Sequence, residues 1–242
     1  MPCRRFALAV ALSLLPVVLP AQDDPSLIGH TSGLFGAERC PPTGKTIGSD
    51  ISDPYLNALK NRDMAPDSYK HTTIAAILAD VPAASEAGKR RRDKWTDTQR
   101  KSLVKKETTG IEVIGYLAGV ALQDPESCNC GDPVHRDYHM WVVAHTQDKQ
   151  AKAVVVELTP RLMESHPNWH KLASKAWHGG DLVRIRGWLT WDQEHPELLH
   201  SRTTKKGKLL HATRGTLWEV HPVLEIDVKD AKGKWVAIDG GA

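Results

Sequence analysis

From about residue 109 the chain alternates apolar and polar side chains with the period of two that marks a strand buried on one face. Three such runs come first, at 111–122, 138–146 and 152–159, the last two joined by a polar turn at 147–150. A stretch with helical spacing follows over 160–178. It opens at Pro160, carries Leu162, Trp169, Leu172 and Trp177, and closes at Gly179-Gly180. Two more strand-like runs, 182–191 and 216–228, complete the order β-β-β-α-β-β. Gly115 and Gly119 suit a first strand that must coil sharply.

Upstream the pattern changes twice. Residues 22–50 are rich in Gly, Pro, Ser and Thr and keep no apolar period, which predicts a flexible tail. Gly44-Lys45-Thr46 fails as a phosphate loop, because Arg39 stands where the first glycine is required and no strand precedes it. Over 51–108 the spacing turns helical. Asp53-Pro54 is a start signal ahead of Tyr55, Leu56 and Leu59. Ile74, Ile77 and Leu78 form a second short apolar face, and Thr96-x-x-Gln99 fits a capping box opening a helix to about Glu107. Few large apolar residues are available for a separate core, so 51–108 reads as a helical extension packed on the strands. The run Lys89-Arg90-Arg91-Arg92 reads as a solvated connector, with polyanion contact as the alternative. Residues 231–242 read as a C-terminal tail.

The first 21 residues read as a signal peptide: Arg4 and Arg5, an apolar run over 6–19, and the small Ala21 before Gln22. The run is short and Pro-interrupted for a membrane span, although a retained anchor is the alternative. Cys3 lies ahead of the apolar run, which argues against a lipoprotein. The expectation is export to the periplasm or beyond, with no stable membrane insertion after cleavage. Cleavage removes two arginines and no acids, so the net charge of +3 falls to +1. Global electrostatics therefore gives no argument for nucleic acid; only local clustering could. Cys40, Cys128 and Cys130 remain. One disulfide and one odd thiol are expected in an oxidising compartment, Cys40 pairing with Cys128 or Cys130 to tie the extension down. Cys128-x-Cys130 lacks the wider spacing of structural zinc ligands.

The element order over 109–230 resembles the OB-fold, which implies a mainly β protein: a five-stranded OB-like Greek-key barrel with an α-helical N-terminal extension. It also implies a ligand face of the kind used for oligonucleotides and oligosaccharides. The phrases Glu126-Ser127-Cys128-Asn129-Cys130, Asp137-x-His139 and Trp218-Glu219-Val220-His221-Pro222 resemble those of a family of exported bacterial proteins with no activity attached to it.

Strand alternation then sorts the candidate chemistry. In the fourth strand Arg184, Arg186 and Trp188 share the side opposite Val183 and Ile185. An Arg-Arg-Trp stripe suits stacking and charge recognition of a single strand, and the alternative is cross-strand pairing with Glu219 and Glu225. The loop after it carries Arg202, Lys205, Lys206, Lys208 and Arg214 beside the usual OB binding face. On the second, third and fifth strands His139, Glu157, Glu219 and His221 fall where they could converge, with Asp137 and His195 approaching from loops. Two imidazoles and carboxylates are adequate ligands for zinc or a similar divalent metal that activates water. This convergence depends on register. His166-x-x-x-His170 lacks the adjacent glutamate of a zincin helix and is interrupted by Pro167.

Three functions are compatible with these patterns. The first is an exported binding protein for an anionic oligomer, single-stranded nucleic acid or an acidic glycan, contacted by Arg184, Arg186, Trp188, Lys205, Lys206 and Lys208. The second is a metal-dependent hydrolase, a nuclease or phosphoesterase, built on His139, Glu157, Glu219 and His221. The third is an envelope protein-interaction module. The sequence decides neither between them nor the oligomeric state.

Overall fold

The computed structural model describes residues 39–47, 53–81, 92, 95–169 and 180–240. The expected signal peptide, most of the tail, Lys89-Arg90-Arg91 and the stretch 170–179 lie outside the described residues. Nine strands are described: β1 (Tyr69–Thr72), β2 (Gly110–Leu122), β3 (Tyr138–Val143), β4 (Val154–Leu158), β5 (Leu182–Trp191), β6 (Arg202–Thr203), β7 (Leu209–Leu210), β8 (Trp218–Lys229) and β9 (Trp235–Ala237).

Five of them close a barrel. β2 pairs with β3, β3 with β4 and β8 with β5, all antiparallel; β4 runs parallel to β8, and β5 closes onto β2. Closure works because β2 is long enough to serve two neighbours. Its first half, Gly110 to Tyr116, pairs with β5, and its second half, Tyr116 to Leu122, pairs with β3. A register shift between Leu117 and Gly119 marks the bend. The result is a mainly β protein with a closed five-stranded barrel, compatible with an OB-like fold.

The apolar positions of the alternating runs fill the barrel. Val113, Met140, Val142, Val154, Val156, Val183, Ile185, Trp218, Val220 and Ile226 are all buried in one cluster. Each such side chain contributes roughly 1.5–3 kcal/mol by leaving water. Ile74, Ile77, Leu103, Leu162 and Trp169 extend that cluster from outside the five strands.

Four helices are described: α1 (Pro54–Lys60), α2 (Ile74–Ala79), α3 (Asp97–Glu107) and α4 (Pro160–Met163). Asp53 caps α1, its Oδ1 accepting from the amides of Tyr55 and Leu56. The capping box at α3 is present: the Gln99 amide donates to Thr96 Oγ1, and the Thr96 amide donates to Gln99 Oε1.

Three departures from the sequence expectations stand out. The region 51–108 is not helical throughout, because β1 lies within it. That strand continues the β3 edge of β2 over the part β3 does not reach, parallel and in register from Tyr69 against Gly110 to Thr72 against Val113. The expected helix over 160–178 is interrupted: α4 ends at Met163, turns follow over 164–168, and Trp169 is helical again, with 170–178 outside the described residues. Pro167 fits the interruption: it lacks an amide donor and disfavours helix at His166 before it. Residues expected to form a C-terminal tail include β9, which pairs with the end of β8. No helix among the described residues is long and apolar enough to cross a membrane.

Candidate metal centre

Strand alternation sends Met140, Val156 and Val220 into the barrel and His139, Glu157, Glu219 and His221 to its outer side. Two registers bring these four together. β3 and β4 set His139 directly opposite Glu157. β4 and β8 run parallel with Val155 against Glu219 and Val156 against Val220, so Glu157 comes level with His221. His139 Nε2 lies 2.7 Å from Glu157 Oε1, and His221 Nδ1 lies 3.0 Å from Glu157 Oε2. Glu219 Oε2 is 3.5 Å from His221 Nδ1.

This outer patch is capped. The segment 39–47 is tied to the turn at Ser127–Asn129 by the Cys40–Cys130 disulfide and by the Lys45 amide donating to Ser127 O. From α1 and its end, Asn57 donates to Thr43 O, and Asn61 donates to both Pro42 O and Cys128 O. Arg161 adds hydrogen bonds to Cys40 O and Pro41 O. The cysteine pairing left open by the sequence is therefore Cys40 with Cys130, and Cys128 is the free, buried thiol.

The cap delivers further donors. Glu126 Oε1 is 3.9 Å from His139 Nε2, and Cys128 Sγ lies 3.6 Å from both Glu126 Oε2 and Asp137 Oδ2. Asn129 holds the other Asp137 oxygen at 3.0 Å. Lys60, at the end of α1 and fully buried, reaches Glu126 at 3.4 Å. On the far side Arg214 bridges Asp192 at 2.9 Å and Glu219 at 2.7 Å, and His195 lies 2.6 Å from Asp192.

The close approaches are ion pairs whose atoms are poorly aligned for hydrogen bonding. His139 Nε2, Glu157 Oε2, both ring nitrogens of His221 and both oxygens of Glu219 are buried without a hydrogen-bond partner. Buried polar groups are normally satisfied, and a group that is not calls for an ion or water. Charge tells the same story. Among the described residues, Glu126, Asp137, Glu157, Asp192 and Glu219 meet three permanent cations: Lys60 at Glu126, Arg214 between Asp192 and Glu219, and Arg161, which interacts with Asp137.

The protein alone answers by moving protons. Burial and the negative charge of Glu126 push Asp137 up to about 7. Burial, Glu157 and Asp192 push Glu219 up to about 7, against Arg214. His221 rises to about 10, because Glu157 and Glu219 outweigh the burial that opposes its charge. Burial, Asp137 and Glu126 hold the Cys128 thiol well above its ordinary value. A divalent cation would supply the same compensation without protons.

The sequence carries no signal for Lys60, and its pattern places Arg214 in a basic loop, whereas the residue is a buried ion-pair partner. Glu126 and Cys128 are visible in it only as part of the phrase Glu126-Ser127-Cys128-Asn129-Cys130. His195 stays at the margin, on Asp192 rather than among the donors.

The Arg-Arg-Trp stripe occupies the other end of β5 and is satisfied within the protein. Arg184 pairs with Asp227 at 2.6 Å and lies over the Trp235 ring. Arg186 spans Glu112 at 2.8 Å and Glu225 at 2.6 Å. Trp188 donates to Met64 O and carries the Arg62 guanidinium on its face. Lys205, Lys206 and Lys208 are exposed on the β6–β7 hairpin. No protein-family model matches the chain, and no curated protein is significantly similar to it.

Proposed function

We propose that the protein is an exported, OB-like Greek-key barrel that binds a divalent metal, zinc or a similar ion, through His139, Glu157 and His221 with Glu126 and Asp137. The observation that carries this reading is the set of buried ring nitrogens and carboxylate oxygens that lack an aligned hydrogen bond and are aimed at one another across β3, β4 and β8. Two imidazoles with carboxylates are the donor set of hydrolytic zinc sites, where the ion activates water. The hydrolase form of the reading, a nuclease or phosphoesterase, requires a route to the ion. Among these donors Glu126 has the most exposed side chain, at 16 %, so that route passes Glu126.

Metal analysis of the full chain purified without added chelator tests the proposal. At least one equivalent of zinc, manganese or a similar ion should be retained, and stripping it should lower the melting temperature. Absence of metal, with no thermal shift on adding zinc or manganese, removes the reading. Metal-dependent cleavage of a generic phosphodiester, abolished by Glu157→Gln, supports the hydrolase form; retained metal without cleavage limits the function to binding.

The anionic-oligomer reading draws its support from Lys205, Lys206 and Lys208, whose exposed ammonium groups share one hairpin. It calls for steeply salt-dependent binding of an oligonucleotide or acidic glycan, lost when all three lysines become glutamate.

A further inference from the structure

The donors do not converge on one point; they form three overlapping sets, of which Glu126, Cys128 and Asp137 make one and the other two each hold an imidazole. Glu126, His139 and Glu157 offer ligand atoms that all lie within 4.8 Å of one another, and so do Asp137, Glu157 and His221. Glu157 belongs to both, and it serves them with different oxygens. Oε1 faces His139 Nε2 at 2.7 Å, while Oε2 faces His221 Nδ1 at 3.0 Å. A carboxylate that presents its two oxygens to two imidazoles on opposite strands has the arrangement of a bridge.

The far side of the centre closes the same way. Glu126 and Asp137, the carboxylates of the two sets, both approach Cys128 Sγ at 3.6 Å. The donors thus form a ring: His139, Glu157, His221, Asp137, Cys128, Glu126 and back to His139. Each half of the ring has one imidazole, one carboxylate of its own and a share of Glu157. β3 and the cap supply the first half, and β8 with the residue before β3 supplies the second.

We propose that the centre is dinuclear, with Glu157 bridging two divalent cations, His139 and Glu126 completing one site and His221 and Asp137 the other. This rests on the metal-binding reading above. Two buried, unpartnered groups carry it on opposite sides of the bridge. His139 Nε2 lacks a hydrogen-bond partner in one half, and both ring nitrogens of fully buried His221 lack one in the other. A single ion in either half would leave the imidazole of the other half unsatisfied at full burial. Carboxylate-bridged pairs of this kind hold their ions about 3.5–4 Å apart and clamp both the attacking and the leaving oxygen of a displacement. The ligand class that fits such a clamp is a phosphate or carboxylate ester.

Stoichiometry and spin coupling test the bridge on the full chain, stripped by chelator and titrated with manganese(II). Two ions per chain by elemental analysis, with an exchange-coupled electron paramagnetic resonance spectrum, support the proposal. One ion per chain with an uncoupled spectrum overturns it and leaves the metal-binding reading intact; no bound ion overturns both. His139→Ala and His221→Ala should each lower the stoichiometry from two to one and abolish the coupling. Should either variant fail to fold, X-ray absorption of the zinc-loaded parent chain tests the same bridge. A metal–metal distance of about 3.5–4 Å is expected, and its absence at full zinc loading overturns the bridge.

Discussion

Glu157 and His221 lie on neighbouring parallel strands, and their contact follows from register alone. Val155 pairs with Glu219 and Val156 with Val220, so the next step along β4 and β8 carries Glu157 Oε2 to 3.0 Å from His221 Nδ1. A shift of one residue would turn one partner into the barrel and destroy the site, because the side-chain period of a strand is two. The donor cluster is therefore tied to the parallel pairing of β4 and β8, and the two should fail together.

Glu157→Gln keeps the shape of this side chain and removes its charge and one ligand oxygen. Loss of an outer-sphere partner typically costs 10–100-fold in metal affinity, so loss of the shared ligand should exceed about 100-fold. Competition against a fluorescent zinc chelator measures it. A variant that retains zinc within a few-fold of the parent chain would place the ion elsewhere.

Arg214→Met tests the ion pairs behind the site. Arg214 is buried between Asp192 and Glu219, and its removal leaves Asp192 with His195 and Glu219 with only His221, 3.5 Å away. Breaking a buried pair by deleting one partner costs about 3–5 kcal/mol. Urea denaturation of the metal-free chain should register a loss of that order. A loss below about 1 kcal/mol would mean that proton uptake by Glu219 offsets the missing cation.

Gly44→Ala tests the cap without touching a donor. Gly44 has φ of +62°, and an added Cβ would sit 2.2 Å from Ser127 O and 2.7 Å from Asn57 Nδ2. The first clash is with backbone, so the segment 39–47 must move off the turn that carries Cys128. Gly207→Ala is the control: φ is +80°, and nothing lies within 4 Å of its added Cβ. Both variants carry the left-handed strain of about 1–2 kcal/mol. Only Gly44→Ala should also weaken zinc binding, and equal effects would show that the cap does not shape the site.

The sequence was most legible where one periodicity ran uninterrupted. β5 lies at 182–191 as the alternation predicts, and α3 follows its capping box. β1 was missed because Tyr69-Lys70-His71-Thr72 buries neither face fully and leaves no alternation to detect. The helical spacing after β4 does not show the interruption at 164–168, which Pro167 marks. In the centre, the strand donors could be read from alternation, since His139, Glu157, Glu219 and His221 all occupy non-core positions. The cap donors could not. Glu126 and Cys128 reach the site through a turn and a disulfide, and Lys60 through an N-terminal helix, none of which has a period that points at the barrel.

His195 gives a pH signature separate from the metal. Asp192, 2.6 Å away, pushes the imidazole up to about 9, against the burial that opposes its charge; Lys60 works the same way as burial, and Glu126 assists Asp192. The unfolded value is about 6.5, so the folded chain holds this proton more tightly. The resulting stability is fully present below about pH 6.5 and is lost as pH rises through about 9. Asp192 itself is held well below its ordinary value, so its own contribution persists down to the acid range. The His195 side chain is 33 % exposed, and solvent screening keeps the contribution to about 1 kcal/mol or less. Thermal melts of the parent chain and His195→Gln, both metal-free, should differ most near pH 6 and converge by pH 10. A gap that stays constant across this range would show that His195 stabilises by packing rather than by its proton.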